Sequence, residues 1–144
     1  MTKEKKSIVT EYLSLQKKYQ KLYGQKTFLL YQVGSFAEAY SINKTDTEFL
    51  RSVCSQINLI LTRKNKADPL PPSLKNPHMA GFTKIAYDKY ISMLLRAGYT
   101  IVRYDQYRCP NTDEITRYLY KVYSPSMCID LVDEIINLSA CAPK

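Results

Sequence analysis

Phe36 and Glu38, two positions apart, are the side chains whose types and spacing could do chemistry together. They follow the apolar run Leu29-Leu30-Tyr31-Gln32-Val33 and the break Gly34-Ser35. In extended backbone, residues i and i+2 point to the same face, so ring and carboxylate are expected to project side by side. Gly34 is free to adopt a positive φ; with Ser35 it forms the loop break that supports the pair. The chain carries 21 Lys and Arg against 13 Asp and Glu, a formal net charge of +8. Such a balance favours polyanionic partners, nucleic acid among them, although it also serves solubility alone. A carboxylate beside an aromatic ring is ill suited to gripping phosphate and well suited to touching a base.

Other chemistry has little to build on. No G-x-x-x-x-G-K-[ST] loop for ATP phosphates occurs, and no G-x-S-x-G. The one histidine, His78, stands beside a proline-rich stretch with no second ligand or nucleophile near it in sequence. Cys54, Cys109, Cys128 and Cys141 form no C-x-x-C pair, so neither a zinc site nor any other metal centre is expected. Scattered cysteines in a chain this size read as reduced thiols of an intracellular protein. No apolar run approaches the ~20 residues of a membrane span. The basic start, Met1-Thr2-Lys3-Glu4-Lys5-Lys6, leads into no long apolar segment, so it does not read as a secretory signal. Glu38, Asp105 and Glu114 fall on or beside expected strands, which leaves a metal-dependent nuclease as a minor alternative.

The 144 residues fit one domain. Ser7 is a plausible N-cap for a helix over 7–23, in which Ile8, Tyr12, Leu15, Tyr19 and Leu22 share one face and Gly24 is the stop. Residues 27–33 read as a buried strand, and a second extended piece follows through Tyr40. Thr45 or Asp46 can cap a helix over about 47–57, and Asn58 to Thr62 reads as a short strand. Pro69, Pro71, Pro72 and Pro77 make 63–77 a loop. It is long for a structureless connection, and such loops tend to be functional or disordered. Met79 to Phe82 is a short strand, 84–97 a helix, and 99–106 and 115–123 two more strands. The expectation is an α/β or α+β domain over 1–126, with a mixed sheet of about five to six strands packed by about three helices. Residues 127–144 read as a linker or the start of a connector region.

At Gly34-Ser35-Phe36-Ala37-Glu38 the sequence resembles the Phe-x-Glu motif of the N-terminal, mismatch-recognition domain of MutS-type DNA mismatch repair proteins, where the segment typically reads Gly-Asp-Phe-Tyr-Glu. The surroundings agree in order. Leu59-Ile60-Leu61-Thr62-Arg63-Lys64 resembles the family's Leu-Thr-x-Arg segment, and Met79-Ala80-Gly81 its Met-Ala-Gly stretch. Gly98-Tyr99-Thr100-Ile101-Val102 with Gln106 is similar to its Gly-x-x-Val-x-x-x-x-Gln strand, and Ser124-Pro125-Ser126 stands where the family has Thr-Pro-Gly. Ser35 and Ala37 depart from the usual acid and aromatic, and Thr83 and Lys84 stand near where Pro and His commonly follow. The pattern is that of a divergent branch.

The resemblance implies that Phe36 stacks on a mispaired base from the minor-groove side while Glu38 hydrogen-bonds to it. Arg63 and Lys64 are then candidates for contacts to the DNA backbone, and Met79 for a groove contact. It implies double-stranded DNA with mismatches or small loops as the partner. ATP and Mg²⁺ are expected only in a C-terminal ATPase domain absent from this chain, as are the MutS-type dimer contacts, and the chain itself is not expected to be an enzyme. It places the protein in a DNA-containing compartment. The alternative is a non-specific nucleic-acid-binding or protein-interaction module that kept the fold and lost mismatch selectivity.

Overall fold

The computed structural model describes residues 7–125; the expected linker lies outside them. Helix α1 (Ile8–Tyr23) opens on Ser7, whose hydroxyl accepts the Thr10 N–H at 3.0 Å, and closes where the Gly24 N–H donates to the Gln20 carbonyl. Strands β1 (Thr27–Val33) and β2 (Phe36–Ser41) follow, then α2 (Lys44–Gln56), β3 (Thr62–Arg63) and β4 (His78–Thr83). A 3-10 turn at Lys84–Ala86 leads into α3 (Tyr87–Arg96), and β5 (Thr100–Arg108) and β6 (Ile115–Tyr123) complete the order. This is an α+β fold with a six-stranded mixed sheet ordered β3-β4-β2-β1-β5-β6. Its central β1–β5 pair is parallel and the other pairings are antiparallel.

Three local expectations are corrected. The cap of α2 is Asn43, not Thr45 or Asp46; its amide oxygen accepts the Asp46 N–H at 2.7 Å, and the helix starts at Lys44. The strand expected over 58–62 shrinks to Thr62–Arg63, because Asn58 turns back at φ 59° straight after α2. The helix expected over 84–97 begins as the 3-10 turn and becomes α-helical at Tyr87.

The core sits on both faces of the central strands. Leu29, Leu30, Tyr31, Ile101 and Val102 are essentially sealed from solvent, as a continuous apolar strand flanked on both faces demands. On one face α1 packs through Tyr12, whose ring meets Tyr31 and Tyr40 edge-on at 5.8 and 5.5 Å. On the other, Phe28, Ala37 and Ala39 meet Leu50, Val53 and Cys54 of α2.

Candidate nucleic-acid interface

The turn between β1 and β2 is two residues long, with Val33 and Phe36 as cross-strand partners. Gly34 has φ 65°, and Ser35 is not among the residues with positive φ. A positive φ at the first central position alone is the type II′ pattern, whose twist suits a hairpin and which favours glycine there. The turn delivers the first residue of β2, Phe36, with 44% of its surface exposed. Glu38 follows on the same face, half-buried. The pair anticipated from spacing is thus presented side by side on the sheet.

Pairing with β4 extends this face sideways. Phe36 stands opposite Thr83, Glu38 opposite Gly81 and Tyr40 opposite Met79; Thr62 of β3 pairs with Met79 in turn. These three cross-strand pairs therefore lie on one face of the sheet, with Thr62 beside them. Gly81 is there for a steric reason: a Cβ would lie 2.8 Å from the Ala37 carbonyl oxygen. Met79 is half-buried and packed against the core. Ala37 points the other way and is 3% exposed, so its departure from the aromatic of the resembled motif alters the core and leaves the presented surface alone.

Beneath the surface, the Tyr40 hydroxyl donates to the Glu38 carboxylate, and the Tyr31 hydroxyl to Glu11. Burial and then the bond to Glu38 push the Tyr40 hydroxyl far above its ordinary range, so it remains a donor. That bond ties the half-buried Glu38 carboxylate to the strand that carries it. Sequence reasoning did not single out Tyr40, although the same two-residue repeat that pairs Phe36 with Glu38 carries on to it.

The two basic candidates part company. The Arg63 guanidinium donates to the backbone carbonyls of Asp68, Leu70 and Asn76 at 3.1, 2.6 and 3.0 Å. With these donors turned into the 64–77 loop, Arg63 organises that loop. Asn76, 5% exposed, helps by bonding both the N–H and the carbonyl of Asn65. Lys64 is exposed, as are Lys66 and Lys75. Two cations that the sequence did not offer as DNA contacts stand by the β1–β2 turn. Lys84 follows Thr83 and donates its N–H to the Ser35 carbonyl at 2.8 Å, and Arg117 of β6 lies 4.9 Å over the Tyr31 ring.

The acids of the nuclease alternative stand apart. Asp105 lies on the opposite face of β5 from Tyr104 and is bound by both ends of the Arg103 guanidinium at 2.8 and 3.0 Å. Glu114 sits in the β5–β6 turn. Among the described residues, no three His, Cys, Asp or Glu side chains gather as a metal site would require. No described helix is long and apolar enough to cross a membrane.

Comparison with known proteins converges on one family. The family model for MutS domain I matches residues 7–132. A DNA mismatch repair protein mutS homologue of Acanthamoeba polyphaga mimivirus is 34% identical over 125 residues, which is 85% of this chain and 11% of that protein. The DNA mismatch repair protein MutS of Chlorobium limicola is 26% identical over 97% of the chain and 14% of its own length. MutS of Thermotoga neapolitana is 25% identical over 90% of the chain and 14% of its own length. The chain thus spans about an eighth of the curated relatives it matches. Since the family match takes in every element from α1 to β6, the chain belongs to the MutS domain I family.

Proposed function

We propose that this chain is the mismatch-sensing, DNA-binding part of a mismatch repair protein, with Phe36 as the stacking wedge and Glu38 as the base contact. The observation that carries the reading is the exposed Phe36 ring beside Glu38 on one face of β2. The physics is coherent. A wedge that unstacks a base step costs a few kcal/mol, and a mispaired base is the cheapest to displace. Stacking returns about 1–3 kcal/mol per base and tolerates any base, because each has a π face. A protein that must find errors without reading sequence discriminates through deformability. Glu38, repelled by the phosphates, is tolerated only where a base offers it a hydrogen-bond partner. ATP chemistry and subunit pairing are assigned to parts of the repair protein outside this chain.

Phe36→Ala in the protein is expected to lower the preference for mismatched over matched duplex by about ten-fold or more, the range a lost stack carries. Competition binding with the two duplexes reads this directly. Equal preference in wild type and variant would remove the stacking role. A non-selective module is the second reading, motivated by Ser35 in place of the usual acid. It predicts the same affinity for matched, mismatched and single-stranded DNA in side-by-side titrations.

A further inference from the structure

The β1–β2 turn is held by more than its own backbone. The Gly34 N–H donates to Gln106 Oε1 at 2.9 Å, and the Gly34 carbonyl accepts from Gln32 Nε2 at 2.8 Å. The Ser35 carbonyl accepts the Lys84 N–H at 2.8 Å. The two glutamines are themselves fixed. Gln32 Oε1 accepts the Gln106 N–H at 2.9 Å and Lys84 Nζ at 3.3 Å. Arg117 Nε donates to the Gln32 carbonyl at 2.6 Å and Nη2 to Gln106 Oε1 at 3.3 Å.

The strands explain why side chains take over here. The parallel β1–β5 ladder ends at Tyr31 and Tyr104. Beyond that point β1 runs on through Gln32 and Val33 into the Gly34-Ser35 turn, and the Gln32 side chain serves the Gln106 N–H that a strand would otherwise satisfy. Gln32 is buried, and Gln106 and Arg117 are half-buried. A satisfied polar network of this kind fixes one geometry.

We infer that Gln106, braced by Gln32 and Arg117, is a positioning residue for mismatch selectivity: it locks the Gly34-Ser35 turn so that Phe36 meets DNA as a rigid wedge. This rests on the reading of Phe36 above. A wedge on a loose turn would yield when pressed against a stacked step and would also lose more freedom on binding. The network therefore acts on the mismatched complex and leaves contacts to an undistorted duplex alone.

The test compares wild type, Gln106→Leu, Gln106→Glu and Phe36→Ala for binding to matched and mismatched duplex. Gln106→Leu is expected to lower the mismatch preference by about five-fold, the factor one neutral hydrogen bond carries, with matched-duplex affinity unchanged. Gln106→Glu keeps the oxygen that accepts the Gly34 N–H and is expected to retain the preference, a rescue that bulk and packing alone would not produce. Loss in Phe36→Ala with full preference in Gln106→Leu overturns the positioning role and leaves the wedge reading standing; no loss in Phe36→Ala overturns both. Hydrogen exchange of the Gly34 amide in the wild-type protein is the second measurement. Gly34 is solvent-exposed, so slow exchange supports the lock and exchange at the free-peptide rate overturns it, even if Gln106→Leu does not fold.

Discussion

Tyr40 is 3% exposed, and its hydroxyl donates to the Glu38 carboxylate two positions along the same face of β2. Tyr40→Phe removes only that oxygen. It is expected to lower the stability of the domain by about 1.5–3 kcal/mol, the range for a bond to a charged group. A urea titration would show this as a lower midpoint at unchanged slope; an unmoved midpoint would mean that water serves Glu38 equally well. At this scale the sequence was informative where side chains alternate and silent where they reach across strands. Phe36 and Glu38 could be paired by the two-residue repeat alone. That Arg63 turns inward to three loop carbonyls, while Lys84 and Arg117 stand by the turn, depends on partners 5 to 85 residues away, and no local rule holds that information.

Strands β2 and β4 form the surface that carries the candidate site, and their closeness depends on Gly81. Gly81→Ala would set a methyl group 2.8 Å from the Ala37 carbonyl. Backbone cannot step aside cheaply in a sheet interior, so a loss of about 1–3 kcal/mol is expected. Thermal unfolding of the variant checks it, and an unchanged Tm would show that β4 can shift without cost. Most elements were visible in advance because their periodicities are strong: α1 from its 3–4 spacing, β1 and β2 from the apolar run and its break. The start of α2 was misplaced by two to three residues because Asn43, Thr45 and Asp46 are all competent caps, and only geometry selects among them. The loop expected over 63–77 starts one residue late in the structure, since Arg63 still belongs to β3; its end before β4 agrees with Pro77. Its internal order was hidden, since the Arg63 and Asn76 side chains supply it.

The whole molecule carries a charge of +8, and its affinity for matched duplex is expected to come largely from phosphate. Log affinity should fall linearly with log salt, at a slope of about −3 or steeper if about three or more phosphates are neutralised. Filter binding or anisotropy across a salt series measures it; a slope near zero would mean that the basic surface does not face the backbone. The fold class was legible from the alternation of helices and strands, and the strand count from their spacing. The strand order was not, because it joins β1 to β5 across more than seventy residues.

That seam sets a timetable for the molecule's manufacture. The bonds that secure the Gly34-Ser35 turn come from residues 32, 84 and 106, with Arg117 bracing the two glutamines, and a ribosome releases them in that order. The hairpin bearing Phe36 is made early, yet its lock cannot close until the last of them has left the exit tunnel. Until then the nascent chain carries an unfastened aromatic tip.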